Sequence, residues 1–419
     1  MNKKFIPLAF AASLIFAACS DDQTDVVNNG PEITFRTSVS RAQNIDETNL
    51  KEFKVWAFSD IVTSNTTAFI EGLVAKKEGT VYKFDHSIFW PNDITTLNFW
   101  AVSPVNDNVV VKHNGEALIL DSYKPAENPE DQLDIITAYQ KVNRVSNNGT
   151  SVSLEFNHIL SQILVSARAG YSEGNGDQIK EKRTVKVKGA WLVNIGTGAT
   201  ASRSTATDKN VVVWDNFSST KASYGSYFDT PRELTFAATS FFSFDNSNVS
   251  VPQSNLLLIP QQLTAWDGTE SGTGAYILLL CRVEATHDGA LHDGASDPMV
   301  KPGSDKHIHQ MFPTYEGATF DEYAYGYACV PIGTLWEYGK IYRYTLDICG
   351  KNSGAGIYPP VDFPTPPGVP ADPSPIKIIP TPGSDKVGKP VLDEPIKFTV
   401  TVNDWDDPAT WNPGDVDLQ

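Results

Sequence analysis

The chain has 419 residues, a formal net charge of −17 and a hydrophobic content of 41%. This length suffices for two or three domains. The excess of acidic residues argues against nucleic acid and anionic lipid as binding partners, because phosphate recognition requires clustered lysine and arginine.

The first 19 residues predict an export signal that ends at Cys19. Two lysines precede the apolar run FIPLAFAASLIFAA, which is too short to span a bilayer, and two alanines precede the cysteine. This arrangement resembles a bacterial lipobox, so Cys19 is the expected lipidation site and residues 20–30 form an acidic tether. An ordinary cleaved signal with a nearby cysteine is the alternative. No other segment reaches transmembrane length, so the lipid would be the only anchor.

The first segment with strand character is EITFRTSVSR, residues 32–41. Its residues alternate between apolar and polar, and this period of two is typical of a strand with one buried face. The alternation places four residues on the apolar face: Ile33, Phe35, Thr37 and Val39. The strand ends at Arg41, which precedes Ala42 and a polar run that predicts an accessible loop.

Short runs rich in Val, Ile, Phe, Tyr and Thr recur along the rest of the chain, bounded by Gly, Asn, Asp and Pro. The clearest are residues 52–60, 95–104, 150–157, 162–170, 184–195, 210–217, 255–263, 275–285, 340–349 and 396–405. Residues 128–141 predict a short helix or turn. So many short strands predict an all-β fold of mostly antiparallel β-sandwiches, and no fixed repeat indicates a solenoid or propeller.

A polar, glycine-containing stretch near residues 171–183 predicts a domain boundary. We expect an N-terminal β-sandwich domain at residues 31–175 and a C-terminal one at 180–419. The C-terminal domain carries a histidine-rich insertion (286–310) and a proline-rich insertion (352–395), the latter with twelve of the 27 prolines. Proline lacks an N–H and fixes φ, so the second insertion cannot be a central strand. It is either an extended loop or a recognition surface.

The histidine-rich insertion contains the residues best suited to chemistry. Its weak metal-binding candidates are His287, His292, His307 and His309. Imidazoles bind Zn²⁺, and the His-x-His spacing on a strand puts both rings on one face. No spaced zinc signature such as H-E-x-x-H is present, and a polar loop explains the composition equally well. We therefore assign no metal and no cofactor from the sequence.

Three cysteines follow Cys19, each in an apolar run: Cys281, Cys329 and Cys349. The odd number excludes a complete disulfide framework, but buried thiols and one bridge with a cysteine left over both remain open. His158, among apolar neighbours, is interpreted as a hydrogen-bonded core histidine. No nucleophile is paired with a base, and no phosphate or dinucleotide fingerprint occurs, so we predict no catalytic residue and no enzyme.

The last segment with strand character is KFTVTVNDW, residues 397–405. Its apolar face contains Phe398, Val400 and Val402, so it either completes its own domain or reaches a neighbouring molecule as a donor strand. Four tryptophans are candidates for stacking on sugars, although sandwich cores use the same residue type: Trp266, Trp336, Trp405 and Trp411.

The run LEFNHILSQILVSARAG (154–170) resembles the pattern LxFxHxLSxIxVxxxA of the Mfa-like fimbrillin family, subunits of type V pili in Bacteroidales. Other similar segments are IFWPNDITTLNFWAVSP, LLLIPQQL, WEYGKIYRYTLDI and IKFTVTVNDW. Their order and spacing extend the resemblance over nearly the whole mature chain. The acidic tether also resembles the signal that sends Bacteroidetes lipoproteins to the outer face of the outer membrane. The two insertions and the residues after Trp405 depart from the family pattern.

The resemblance implies two tandem transthyretin-like β-sandwich domains and export as a lipoprotein, with palmitate on the cysteine. In polymerising members an arginine-specific protease removes the N-terminal strand, and a strand of a neighbouring subunit then fills the groove by strand addition. By resemblance, the strand before Arg41 is removable, with cleavage between Arg41 and Ala42. The strand with Phe398 is the candidate donor. Expected partners are other pilin subunits, the protease, the outer membrane through the lipid before cleavage, and a host or bacterial surface ligand.

These observations favour a structural or adhesive subunit of a surface pilus, located at the outer membrane and in the fimbrium. The tail after Trp405 makes a poor strand, which favours a tip or accessory subunit over a stalk subunit. The alternative is a surface-anchored lipoprotein that does not polymerise and binds glycans or proteins.

Overall fold

The computed structural model describes residues 30–39, 45, 48–59, 68–114, 116–147, 149–169, 182–204, 211–242, 256–288, 297–303, 306–350, 353–392 and 394–405. Strands dominate these residues, with one helical turn at Arg144–Asn147 and a 3-10 turn at Pro129–Asp131. The predicted all-β fold is thus confirmed. Within the same residues, no helix has the length and hydropathy needed to cross a membrane.

Seven strands of the N-terminal half form a closed barrel. They are β1 (Phe35–Val39), β2 (Glu52–Ser59), β3 (Ile70–Glu78), β4 (Val81–Lys83), β5 (Thr96–Ser103), β8 (Ile136–Asn143) and β9 (Val152–His158). Their order around the barrel is β1-β4-β3-β2-β5-β8-β9. Alternating apolar residues point inward and form an aromatic core that includes Phe35, Phe53, Phe99 and Phe156.

A four-stranded sheet packs against the outside of this barrel. It contains β6 (Val111–His113), β7 (Ala117–Tyr123), β12 (Ala199–Ser204) and β13 (Val213–Asp215), in the order β13-β12-β7-β6. Trp56 and Trp100 on the outer barrel face share an apolar cluster with Leu118, Leu120 and Ala201 of this sheet.

Two further sheets, built from residues 161 onward, share a second core. One contains β10 (Ser161–Ala169), β15 (Thr239–Ser240), β16 (Leu256–Leu258), β20 (Lys340–Ile348) and β22 (Lys397–Asp404), and its main order is β15-β10-β20-β22. The other contains β11 (Lys182–Gly196), β14 (Lys221–Glu233), β17 (Tyr276–Asp288), β18 (Lys306–Phe312), β19 (Ala324–Pro331) and β21 (Lys377–Ile379). Its main order is β14-β11-β17-β19-β21, with β18 paired to β17.

Strand pairing crosses the predicted boundary near residues 171–183 in both directions. β10 precedes that boundary and pairs with β15, β16 and β20, whereas β12 follows it and pairs with β7. A polar stretch marks a loop, but it carries no information about which strands become neighbours. The domain ranges 31–175 and 180–419 therefore stay a prediction.

The proline-rich insertion covers the outer face of the sheet that contains β11, β17 and β19. Trp191 Nε1 donates a hydrogen bond to the Pro367 carbonyl oxygen at 2.9 Å. Phe363 and Val369 pack against the same apolar cluster as Trp191. Among its described residues, the insertion contributes the three-residue β21, in parallel at the sheet edge, which agrees with the exclusion of a central strand.

The three cysteines of the C-terminal half are buried free thiols. Burial raises the pKa of the Cys281 and Cys329 thiols, so they remain protonated. The interpretation as small buried hydrophobic residues is confirmed for these three positions.

Candidate functional site

The first strand lies in a groove between two other strands of the barrel. β1 pairs in parallel with β9 over five residues, from Phe35 opposite Val152 to Val39 opposite Phe156. On its other side it pairs antiparallel with β4 at one position, Phe35 opposite Tyr82. We call the space that β1 fills between β4 and β9 the β1 groove.

The apolar face of β1 points into the barrel core. Ile33, Phe35 and Val39 are 3%, 0% and 5% exposed, while Thr37 is half-buried. The Phe35 ring makes edge-to-face contacts with Phe53, Phe84 and Phe99 at centroid distances of 5.8, 5.6 and 5.8 Å. Burying three such side chains stabilises the strand in its groove by about 5–8 kcal/mol.

The residues before β1 are hydrogen-bonded to the segment at residues 88–90. Ile33 N donates to the Ile88 carbonyl oxygen at 2.8 Å, and Trp90 N donates to the Pro31 carbonyl oxygen at 2.9 Å. A Cβ atom on Gly30 would lie 2.0 Å from the Trp90 carbonyl oxygen, so the backbones approach too closely for a side chain. These contacts to residues 88–90 were not predicted from the sequence, where only the family-like run IFWPN pointed to this segment.

β9 depends on β1 for most of its pairing. Its contacts with β8 in the ladder are limited to Asn157 and His158, whereas residues 152–156 pair with β1. Val152 N also donates to the Thr34 carbonyl oxygen at 2.8 Å, and the Thr34 and Ser151 hydroxyl oxygens are 2.7 Å apart. Loss of β1 would thus leave both the core and one whole strand edge without a neighbour.

The predicted cleavage position, Arg41 with Ala42, lies outside the described residues, as does the predicted lipidation site Cys19. In the sequence, Arg41 falls between the end of β1 at Val39 and the start of β2 at Glu52. Arg36 is exposed, but its backbone is part of the ladder with β9. A protease must bind an extended, unpaired backbone, so Arg36 is a poor cleavage site.

The candidate donor strand, β22, completes its own sheet. It pairs antiparallel with β20 along its whole length and ends the order of strands in that sheet among the described residues. Phe398 and Val400 are half-buried against the core, and Val402 is 49% exposed. β22 is therefore an edge strand with a shallow apolar face.

The residue after β22 is anchored in a polar cluster. The Trp405 ring stacks on His158 with the centroids 4.5 Å apart, and His158 Nδ1 lies 2.8 Å from Asp134 Oδ1. All three residues are buried. The interpretation of His158 as a hydrogen-bonded core histidine is confirmed.

The sugar-stacking hypothesis finds no support in the tryptophans that the structure describes. Trp266, Trp336 and Trp405 are 3%, 1% and 3% exposed, so their ring faces are not accessible to a ligand. They are core residues, and Trp411 lies outside the described residues. Of the four histidines singled out above, His287, His307 and His309 come together, and His292 also lies outside the described residues.

Several solved structures are similar to this chain at low identity. A fimbrial protein from Bacteroides vulgatus is 15% identical, with 89% of this chain and 99% of that chain covered at a TM-score of 0.48. A candidate cell adhesion protein from Parabacteroides distasonis is 9% identical, with 89% and 99% covered at 0.42. Another from Bacteroides uniformis is 11% identical, with 89% and 98% covered at 0.37.

No match was found among curated proteins. A family model described as fimbrillin-like matches residues 40–267, which is more than half of the 419 residues. The match begins just after β1 and extends through β16. On this match, the chain belongs to the fimbrillin-like family.

Proposed function

We propose that this protein is a structural or adhesive subunit of a cell-surface pilus that assembles by strand exchange. The main support is the burial of β1 between β4 and β9, with Phe35 and Val39 in the barrel core. Because β1 is the first strand of the fold, one cut before β2 separates it from the chain without breaking any other described element.

The vacated groove would bind an extended segment of a second subunit. The free edges of β4 and β9 offer main-chain donors and acceptors, and the pockets of Ile33, Phe35 and Val39 set the register of the incoming side chains. Refilling them recovers the apolar burial of about 5–8 kcal/mol lost with β1. This gain favours assembly over a subunit with an open groove.

The groove would open first on the β4 side. β1 is joined to β4 at one ladder position and to β9 at five. A donor strand can therefore begin to pair with β4 while part of β1 still pairs with β9. Such stepwise replacement avoids full exposure of the core.

The steps before assembly follow from the sequence predictions. Palmitate on Cys19 holds the precursor at the outer membrane surface, and an arginine-specific protease cuts after Arg41. β22 is the candidate donor, with Phe398, Val400 and Val402 as the inserted residues. Because β22 fills its own sheet and the tail is a poor strand, a tip or accessory role is favoured, with two tandem transthyretin-like domains as the predicted arrangement.

Proteolysis of the purified precursor tests this proposal. Treatment with an arginine-specific protease should yield a core whose new N-terminus is Ala42, read by Edman sequencing, and this core should form ladders on gels. Arg41→Gln should block both the cut and the ladders. Arg36→Gln removes an exposed arginine of the paired strand and should leave both unchanged.

Competition with a synthetic peptide is a second test of the proposal. The peptide PEITFRTSVS, residues 31–40, should occupy the emptied groove and suppress ladder formation, while the same peptide with Asp in place of Phe35 should not. Trimmed cores that stay monomeric without any peptide would contradict the proposal. That result would favour the surface-anchored binding lipoprotein that does not polymerise.

A further inference from the structure

Three histidines of the histidine-rich insertion meet on one face of the β17–β18 ladder. His287 of β17 lies opposite His307 of β18, and His309 follows two residues later on the same face. One ring nitrogen from each of the three lies within 4.8 Å of the others. The H-x-H spacing aligns two of these rings, but only the register of the two strands adds the third.

The distance between two of the rings suits a shared metal ion. His287 Nε2 and His309 Nε2 are 2.9 Å apart. Two imidazoles bound to tetrahedral Zn²⁺ at about 2.0–2.1 Å have their nitrogens about 3.3 Å apart. A small separation of the rings would therefore convert this nitrogen pair into two metal ligands.

A carboxylate orients one ring for this role. Asp297 Oδ2 lies 3.2 Å from His309 Nδ1, and Asp297 Oδ1 accepts a hydrogen bond from Met299 N at 2.9 Å. The carboxylate thus assigns the proton to Nδ1 and directs the lone pair of His309 Nε2 toward His287. Carboxylate–histidine pairs of this kind support the ligands in many metal sites.

The cluster is positioned on paired backbone. β17 and β18 form a continuous ladder here, and Val300 bridges to His309 on the far side of β18. His287 is buried, and His307 and His309 are half-buried, so the ligand nitrogens are partly shielded from water. Imidazole donors select zinc, copper or nickel, whereas calcium and magnesium prefer oxygen ligands.

We propose that His287, His307 and His309 bind a divalent transition metal, with Zn²⁺ the best-matched ion and Asp297 as the orienting residue. Three protein ligands leave one tetrahedral position for water or for a group from another molecule. The ion would join β17 to β18 at the base of the insertion. This site is independent of the β1 groove and of strand exchange.

Calorimetric titration of the untagged full chain with zinc chloride tests the site. We expect binding of one ion per chain and a rise in melting temperature with zinc. His309→Gln should weaken zinc binding at least about a hundredfold, since it removes a ligand. Asp297→Asn should weaken it about 10–100-fold, the usual effect of losing an outer partner. His86→Gln changes an exposed histidine elsewhere and should leave the affinity unchanged.

Cobalt(II) provides a readout that separates ligand loss from misfolding. The wild-type chain should show the visible absorption bands of cobalt bound by nitrogen ligands, and His309→Gln should lose them at an unchanged melting temperature in EDTA. The proposal is wrong if the wild-type chain takes up no zinc, or if His86→Gln weakens binding as much as His309→Gln. Equal heats with magnesium would contradict it as well.

Discussion

The first and last strands of this fold have similar sequences and very different surroundings. β1 (FRTSV) and β22 (KFTVTVND) both alternate apolar and polar residues. β1 is bonded on both sides inside a closed barrel, and Phe35 and Val39 are 0% and 5% exposed. Among the described residues, β22 has one partner and ends its sheet, and Val402 is 49% exposed.

This difference bears on the strand exchange proposed above. A strand whose removal destabilises the rest of the fold must be buried on one face and paired on both edges, as β1 is. A strand that is donated to a neighbour should be released at low cost. The shallow apolar face of β22 lowers this cost, whereas its full-length pairing with β20 and the buried Trp405 that follows raise it. An alternating pattern alone therefore does not distinguish an enclosed strand such as β1 from an edge strand such as β22.

The largest contrast is expected from matched truncations of phenylalanine. Phe35→Ala should lower the free energy of unfolding by about 3–5 kcal/mol, because it removes a fully buried ring from an aromatic cluster. Phe398→Ala removes a half-buried ring and should cost about 1–2 kcal/mol. Urea unfolding followed by tryptophan fluorescence measures both, and equal losses would contradict the contrast.

Placing the same charge on each strand gives the next effect. Val39→Asp should cost about 3 kcal/mol, because the carboxylate loses its water inside the barrel. Val402→Asp should change stability by about 0.5 kcal/mol or less, since the site is open to solvent. Thermal unfolding of the two variants side by side measures both effects. A large loss of stability in Val402→Asp would contradict the exposed position of this side chain.

The close approach at Gly30 predicts a smaller cost. Gly30→Ala introduces a Cβ atom 2.0 Å from the Trp90 carbonyl oxygen, so the chain before β1 must shift, at about 1–2 kcal/mol. Gly198→Ala is the matched control, because its nearest neighbours would lie at 3.6 Å or more. In the proteolysis experiment described above, Gly30→Ala should also accelerate release of β1 after cleavage. A variant as stable as Gly198→Ala would contradict the tight fit.

The last prediction concerns acid. Burial lowers the pKa of His113 from 6.5 to about 4 on β6, where its ring stacks on Phe58 of β2 with centroids 4.1 Å apart. The unfolded chain binds a proton that the folded chain excludes between these values, so stability falls as pH falls through this window. His113→Gln should flatten the dependence between pH 6.5 and 4. Melting temperatures across this range provide the check.

Sequence periodicity predicted much of the strand content. All ten clear strand-like runs contain strands in the structure, and the face of β1 predicted to be apolar is the buried one. Strands such as β3 and β14 were missed because charged or small residues interrupt their alternation. A local sequence pattern detects a strand only when one face is clearly more apolar than the other.

The candidate sites were predicted less completely than the strands. The importance of residues 32–40 followed from alternation and family resemblance, but not the parallel pairing with β9 or the contact with Trp90. For the histidines, the sequence predicted that His307 and His309 lie on one face. The positions of His287 and Asp297 beside them depend on the strand register and on a turn, which the sequence did not predict.

By itself, the sequence of this protein determined many of its strand segments, the apolar face of β1, and that the proline-rich insertion cannot form a central strand. These properties depend on neighbours a few residues apart. The tertiary structure alone decided that β1 is enclosed while β22 lies at an edge, and that three histidines converge. Such outcomes depend on which strand edges pair. The pairing of β1 with β9, over a hundred positions apart, is set by closure of the whole barrel rather than by local preference.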